Sequence, residues 1–307
     1  RSNNTSVACN CTWFNNGNAN NAVTNNTMTW LASGSTAAAV DMSYMFDNNP
    51  YFNQDITGWN VGKVTDFTNM FYGAIAFNNG QGSVAPGTKP LTWDTSSATS
   101  LSQMFFGAYK FNQNIDNWDT SKVSTFSGMF TSAGAFNNGL ASGTGGTMIW
   151  RTTPGVASTM SNMFNSAVGF NQNVSAWNTS AITNMTYMFS NAAKFNNGQP
   201  AGTSGGADLT FSTANVTSFS NMFAYAAVFN QKVSSFDTSK VTAMDNMFNR
   251  ANAFNNGQTP GGVGQNPIAW NTSNVTTINS MFLSTVANAF NQALPGWNLA
   301  KCTDYAG

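Results

Sequence analysis

Histidine and glutamate are both absent from this 307-residue chain, and charged residues of every kind make up only 7 % of it. Soluble domains usually contain about 25 % charged residues. The eleven acidic residues are all aspartate, and eleven lysines and arginines balance them to a net charge of zero. The basic footprint that nucleic-acid binding requires is therefore missing, as is a basic patch for a membrane surface. Without histidine, the chain also lacks the usual base near neutral pH.

Cysteine is scarce as well, since the chain has only Cys9, Cys11 and Cys302. No Cys-x-x-Cys pair is present, so we expect no zinc site, and we expect no other cofactor. The apolar runs are all far shorter than the roughly 20 residues that span a bilayer, which predicts no membrane span. The chain begins at Arg1 rather than methionine, and we expect any signal peptide to lie outside this numbering.

What the chain has in abundance is repetition. The dipeptide Met-Phe recurs nine times, with its phenylalanine at Phe46, Phe71, Phe105, Phe130, Phe164, Phe189, Phe223, Phe248 and Phe282. Successive positions differ alternately by 25 and 34 residues, so two units sum to 59. A fixed period of this size is typical of solenoids. We predict a partial repeat within the N-terminal segment 1–30, a solenoid of about nine repeats over 31–301, and the start of a further repeat at 302–307.

The spacing inside one unit predicts its elements. Val123, Phe126, Met129 and Ala133 fall three or four residues apart, which is typical of a buried stripe on a short helix, and the Thr or Ser after each Trp is a suitable N-cap. The segment from Phe111 to Ile115 alternates as a strand does, with these two side chains expected to point inward. One short helix and one short parallel strand per unit predict an α/β repeat fold of the leucine-rich-repeat type, whose period of about 20–29 residues includes 25.

An asparagine follows the second phenylalanine of every unit. Stacked repeats would place these side chains in one column, where each amide can both donate and accept hydrogen bonds. We interpret the column as a buried structural ladder, and a row of ligands for a metal or a sugar is the alternative. Its members are Asn53, Asn78, Asn112, Asn137, Asn171, Asn196, Asn230, Asn255 and Asn291. The Met-Phe and Trp columns are interpreted as core.

These residues resemble a known family. The pattern M-x-x-M-F-x-x-A-x-x-F-N-Q-x-I-x-x-W-D/N-T-S-x-V is similar to that of the BspA-like leucine-rich-repeat surface proteins, also described as DUF285 or mycoplasma-lipoprotein-type repeats. It is clear at 42–64, 160–182 and 219–241, partial at 126–149, and extends over nearly the whole chain from about residue 12. The resemblance implies an extracellular or cell-surface location and a role in adhesion. It supplies no catalytic residues.

The two ends of the sequence suggest a mode of assembly. Residues 301–305 align with 63–67, with Cys302 in the place of the core residue Val64, and the N-terminal segment starts in the middle of a unit. Solenoids need capping repeats to cover their apolar ends. We therefore expect head-to-tail stacking of copies into a filament, with Cys302 bonded to Cys9 or Cys11 of the next copy. The alternative is that the sequence is a piece of a longer chain.

The longer units carry insertions at 79–91, 138–148, 197–209 and 256–268. They are expected either to project as a ridge for lateral contacts or a ligand, or to cover the edge of the strands.

Glycosylation sequons occur ten times, which is about the number that this composition gives by chance. The candidate glycosylated residues are Asn3, Asn4, Asn10, Asn25, Asn215 and Asn274. If the chain is secreted by a eukaryote, exposed members of this set are expected to carry glycans.

Catalysis is not expected. Asp94, Asp119 and Asp237 occupy a column in which Asn178 and Asn271 stand in other units, so a cap is favoured there over a general acid. Two classes of function remain. One is an extracellular structural protein that assembles with itself into a filament or surface layer. The other is a cell-surface adhesin that binds a protein or glycan through the solenoid face or the loop ridge.

Overall fold

The computed structural model describes residues 41–82, 87–150, 156, 158–260, 262, 264–284 and 290–304. Nine parallel bridges join equivalent residues of successive units, from Asp41 paired with Asp66 to Thr277 paired with Asp304. We call the chain from one bridged residue to the next a rung. Rungs begin at residues 41, 66, 100, 125, 159, 184, 218, 243 and 277. They alternate between short rungs of 25 residues and long rungs of 34, except that the rung beginning at Thr277 has 27.

Regular secondary structure is sparse in the described ranges. Strand β1 is Gly146–Thr147 and strand β2 is Gln172–Asn173. They pair in parallel, with Gly146 opposite Gln172 and Thr147 opposite Asn173. Strand β1 lies near the end of the insertion of a long rung, and β2 belongs to the next short rung. The insertion therefore returns to the stack and hydrogen-bonds with the rung that follows.

The expected helix is not found, because the described residues contain no α-helix and no helix long and apolar enough to cross a membrane. Two turns take its place in the rung that begins at Thr125: Met129 N–H donates to Phe126 O, and Ala133 N–H donates to Phe130 O. The third residue of each turn has a positive φ, 62° at Gly128 and 58° at Ser132. This is the geometry of type II turns.

Hydrogen bonds between rungs explain why turns replace the helix. The N–H groups of Gly128, Phe130 and Ser132 donate at 2.8 Å to carbonyls of the next rung, so they are not available to carbonyls four residues back. Two consecutive type II turns nevertheless turn the same side chains inward as a helix would. Phe126, Met129, Phe130 and Ala133 are all fully buried. The sequence spacing identified the buried residues correctly and the element wrongly.

Columns of aromatic rings form the core. The rings of the Met-Phe phenylalanines stack between neighbouring rungs with centroids 5.4 to 5.7 Å apart. Within each rung the ring six residues further on, or eight in the rung beginning at Thr277, lies 3.7 to 4.2 Å from the first. Burying one such side chain stabilises the fold by about 1.5–3 kcal/mol. Each rung thus contributes to stability through the rungs next to it.

A third column holds the tryptophans, with phenylalanine at Phe211 and Phe236. Trp177 shows the arrangement: its ring stacks on Trp150 at 5.6 Å, and its indole N–H donates to Met148 O at 2.8 Å. The same donor bonds an earlier carbonyl in five other described tryptophans: Trp93, Trp118, Trp150, Trp270 and Trp297. The column therefore combines ring packing with satisfied backbone carbonyls.

The insertions are partly core and partly surface. Leu91, Met148, Leu209 and Ile268, at or near their ends, are fully buried, and their N–H groups donate to carbonyls of the following short rung. Residues 141, 142, 144 and 145 in the middle of one insertion are exposed.

Candidate functional site

The nine asparagines that follow the second phenylalanine are brought together in one continuous ladder. The backbone N–H of each donates to the side-chain oxygen of the preceding one, at 2.7 to 2.9 Å in all eight steps from Asn53 to Asn291. Eight of the nine are buried, and Asn291, on the rung that begins at Thr277, is exposed. Such a series of linked amides keeps every rung in register with the next.

Asn137 shows how fully a ladder amide is used. Its Oδ1 accepts the N–H of Asn171 at 2.8 Å and the Nε2 of Gln172 at 2.8 Å. Its Nδ2 donates to the carbonyls of Ala141 at 2.6 Å and Thr144 at 3.0 Å, which fixes the start of the insertion. An amide has two donors and about two acceptor positions. No capacity is left on Asn137 for a metal or a sugar, so the geometry favours the structural interpretation of the column.

The sequence analysis missed a second column of buried amides. Every long rung has another asparagine directly after the ladder residue: Asn79, Asn138, Asn197 and Asn256. Asn79 Oδ1 accepts the N–H of Ile56 from the preceding short rung at 2.9 Å, and its Nδ2 donates to Thr57 Oγ1 and Lys89 O. In short rungs a glutamine stands here. The recurrence of Asn-Gly in long units alone was the available signal.

The Asp and Asn residues of the cap column close turns rather than helices. Ser121 N–H donates to Asp119 Oδ1 at 2.9 Å, and Ser180 N–H donates to Asn178 Oδ1 at 3.0 Å. Equivalent bonds are made by Asp94, Asp237 and Asn271. Both residue types can accept this hydrogen bond two residues on, which explains why they replace one another. The expected helix cap is therefore corrected to a turn.

A column of Thr and Ser lies on the surface immediately before the bridged residues. Thr183 shows its geometry: both the N–H and the hydroxyl donate to Ser158 O, at 2.9 and 3.0 Å. The same pair of bonds continues along the stack at Thr99, Ser124, Ser158, Thr217, Thr242, Thr276 and Thr303. These hydroxyls clamp one rung to the next along an uncharged face.

Two carboxylates line one shallow depression, together with Trp118, Ile149 and Trp150. Asp116 accepts from Asn138 Nδ2 at 2.8 Å and from Asn114 Nδ2 at 2.9 Å, and Asp119 closes the turn at Ser121. Both carboxylates are thus engaged in holding the local backbone and side chains. Across the described ranges, no group of three or more His, Cys, Asp or Glu could hold a metal ion.

Two other aspartates have shifted pKa values. Hydrogen bonds from the backbone and side chain of Ser239 lower the pKa of Asp237, helped by the charge of Lys240. Burial raises the pKa of Asp47, and a hydrogen bond from the backbone of Asn48 opposes it in part. The two lie on different rungs, so their titrations act on the stack separately.

The remaining candidate residues are only partly covered by the structure. Cys9, Cys11, Asn3, Asn4, Asn10 and Asn25 lie outside the described residues. Cys302 is a half-buried free thiol, with its Sγ 3.3 Å from Asp304 O. Asn215 and Asn274 are half-buried, and each donates from Nδ2 to a carbonyl of an earlier rung and accepts from a lysine, Lys240 or Lys301.

The sequence of the chain matches a known family. The family described as "Mycoplasma protein of unknown function, DUF285" matches residues 12–86, 88–143 and 203–307, which is more than half of the chain. The chain therefore belongs to this family, and the expected DUF285 membership is confirmed. No curated protein and no solved structure matches the chain. The family has no assigned function, so a function has to be argued from the geometry of this chain.

Proposed function

We propose that this chain is an extracellular, non-catalytic structural protein, a solenoid that joins copies of itself rung on rung into a filament or surface layer. The observation that carries the proposal is the uniformity of the contact between rungs. The same phenylalanine columns and asparagine ladder recur at each step of the described stack. A face of this kind fits another rung of the same kind better than it fits an unrelated surface. The net charge of zero also favours association.

The rung that begins at Thr277 carries a suitable face for such a contact. Phe282, Phe290 and Trp297 are partly buried there, whereas their equivalents in the other described rungs are at most 4 % exposed. Each ring stacks on the preceding rung, at 5.7, 5.8 and 6.2 Å. A rung from a second copy would cover their other faces. Because such a contact joins two different surfaces, it generates an open filament.

Cys302 supports the same mode of assembly. It lies half-buried on this last described part of the stack, with a free thiol. We place its disulfide partner in Cys9 or Cys11 of the neighbouring copy. An extracellular location is consistent with such a bond, since disulfides persist in oxidising surroundings.

Negative-stain electron microscopy of the purified chain, before and after reductant, tests the proposal. Uniform filaments are expected, with reductant or the Cys302→Ser substitution shortening them. Cys302→Ser is the matched control because it removes one sulfur and leaves the ring columns intact. Separate particles under every condition would overturn the proposal.

A second candidate function, a cell-surface adhesin, is favoured by an exposed apolar column and by the resemblance to BspA-like leucine-rich-repeat surface proteins. Ile75, Tyr109 and Val168 each lie four residues after a Met-Phe phenylalanine, and they are 50 %, 58 % and 37 % exposed. Its partner would be a surface protein or glycan. Specific binding by separate particles, lost in Ile75→Ser with Tyr109→Ser, would support this function instead. Glycans on exposed sequons are compatible with both functions.

A further inference from the structure

Every long rung contains the dipeptide Asn-Gly directly after its ladder asparagine. The four pairs are Asn79-Gly80, Asn138-Gly139, Asn197-Gly198 and Asn256-Gly257. Both residues of each pair have a positive φ, 50° to 53° for the asparagines and 77° to 84° for the glycines. The asparagines are at most 3 % exposed.

Glycine is required at these positions by the packing of one rung on the next. A Cβ at Gly80 would lie 2.9 Å from the backbone nitrogen of Asp55, and a Cβ at Gly198 would lie 2.9 Å from Gly146 O. The positive φ adds a second reason, since residues with a Cβ rarely adopt it. The stack therefore needs Asn for its amide hydrogen bonds and Gly for its close approach.

The same dipeptide is chemically the least durable in the chain. The backbone nitrogen of a glycine attacks the Cγ of a preceding asparagine with little steric hindrance, because no Cβ is in the way. The new N–Cγ bond closes a succinimide and ammonia leaves. Water then opens the ring to aspartate or, with the backbone continuing through Cγ, to isoaspartate.

The closed stack prevents this attack at both reacting groups. At Asn197, Oδ1 accepts the N–H of Val174, and Nδ2 donates to Ser175 Oγ and Ala207 O, at 2.7 to 3.0 Å. The attacking nitrogen is held as well, since Gly198 N–H donates to Asn171 Oδ1 at 3.1 Å. The corresponding glycine bonds recur at Gly80, Gly139 and Gly257.

We propose that the four buried Asn-Gly pairs are deamidation sites that the closed rungs protect and that record each opening of the stack irreversibly. Once formed, isoaspartate lengthens the backbone by one carbon and replaces the Nδ2 donor by a carboxylate. A charge without suitable donors is unfavourable in a buried position. The altered rung cannot return to its register, so repeated opening removes molecules from the folded population. This inference does not depend on how copies assemble.

Peptide mapping by mass spectrometry tests the proposal on the whole chain. Folded protein and protein in denaturant are incubated side by side in mildly alkaline buffer, and the deamidated fraction at the four asparagines is followed over time. We expect deamidation in the folded chain to be slower by at least about tenfold, since it requires local opening. Equal rates in the two samples would overturn the proposal.

A variant localises the protection. Asn171→Ala removes the oxygen that holds Gly198, so deamidation should increase at Asn197 more than at Asn79, which is distant in the stack. An unchanged ratio between the two sites in folded variant protein would count against the proposal. If the variant does not fold, refolding of the wild type decides the matter. The fraction that refolds after incubation in denaturant should fall in step with deamidation, and should be retained when mildly acidic buffer slows the reaction. Full refolding of deamidated chains would overturn the proposal.

Discussion

The side-chain oxygen of Asn137 accepts the backbone N–H of Asn171 at 2.8 Å, across the boundary between a long rung and the short rung that follows it. Both residues are fully buried. The bond links two residues 34 positions apart in the sequence through a side chain that recurs in each rung. The predictions below test how much the stack depends on such contacts.

Asn137→Ala should destabilise the chain by about 2–4 kcal/mol. It leaves buried polar groups of Asn171, Gln172 and the insertion without partners, and each such group costs about 1–3 kcal/mol. Urea denaturation followed by tryptophan fluorescence measures the effect. Asn291→Ala is the matched control, because that side chain is exposed and its backbone N–H remains. The control should change stability by no more than about 0.5 kcal/mol. Equal losses in the two variants would contradict a structural ladder.

Asn221 tests the turns that replace the expected helix. Its φ is 59°, and Gly128 occupies the equivalent place in another rung. Asn221→Gly should therefore be nearly neutral, while Asn221→Val should cost about 1–2 kcal/mol, because left-handed backbone is unfavourable for residues with a branched Cβ. Thermal denaturation of the two variants gives the comparison. A helix at this position would instead make the glycine the more harmful change.

Trp177 tests the division of labour in the third column. Trp177→Phe keeps a stacked ring but removes the indole donor to Met148 O, so a loss of about 1 kcal/mol is expected. Phe236 shows that the column accepts phenylalanine. Trp177→Ala should cost about 3–5 kcal/mol, because it also leaves a cavity. Similar denaturation midpoints for the two variants would show that ring packing contributes little here.

Asp237 should make the stack sensitive to acid. Its pKa is lowered from the ordinary value of 3.8, so its stabilising contribution is present above that value and is lost as the pH falls through the lowered pKa. Asp237→Asn keeps the turn acceptor without the charge. The stability difference between wild type and variant, measured from about pH 5 to about pH 2, should shrink with falling pH. A difference that stays constant would show that the charge has no role.

Asp47 should behave in the opposite way. Burial raises its pKa, so the folded chain binds this proton more readily than the unfolded chain does. Stability should therefore increase as the pH falls through the raised pKa. Asp47→Asn should be more stable than wild type at neutral pH, and acidification should remove the difference. The same denaturation series measures both aspartates.

The sequence predicted the repeat and its buried columns well, because a period of 59 residues holds without slippage over the whole stack. It did not predict the turns, because apolar residues three and four apart point inward in a helix and in two consecutive type II turns alike. The frequent Asn and Gly at the positive-φ positions, such as Asn69 and Gly73, were the signal that favours turns. Bonds such as Asn79 to Ile56 depend on how rungs lie on each other, which a single unit of sequence does not reveal.

The bond from Ile56 to Asn79 has a consequence for how chains of this kind change in length. A long rung supplies the amide that the short rung before it needs, and its insertion bonds to the short rung after it. Removing a single rung would bring two rungs of one kind together and leave these bonds unmade. Gene duplication and deletion should therefore be tolerated in pairs of rungs, so that relatives with the same alternation differ in length by whole pairs.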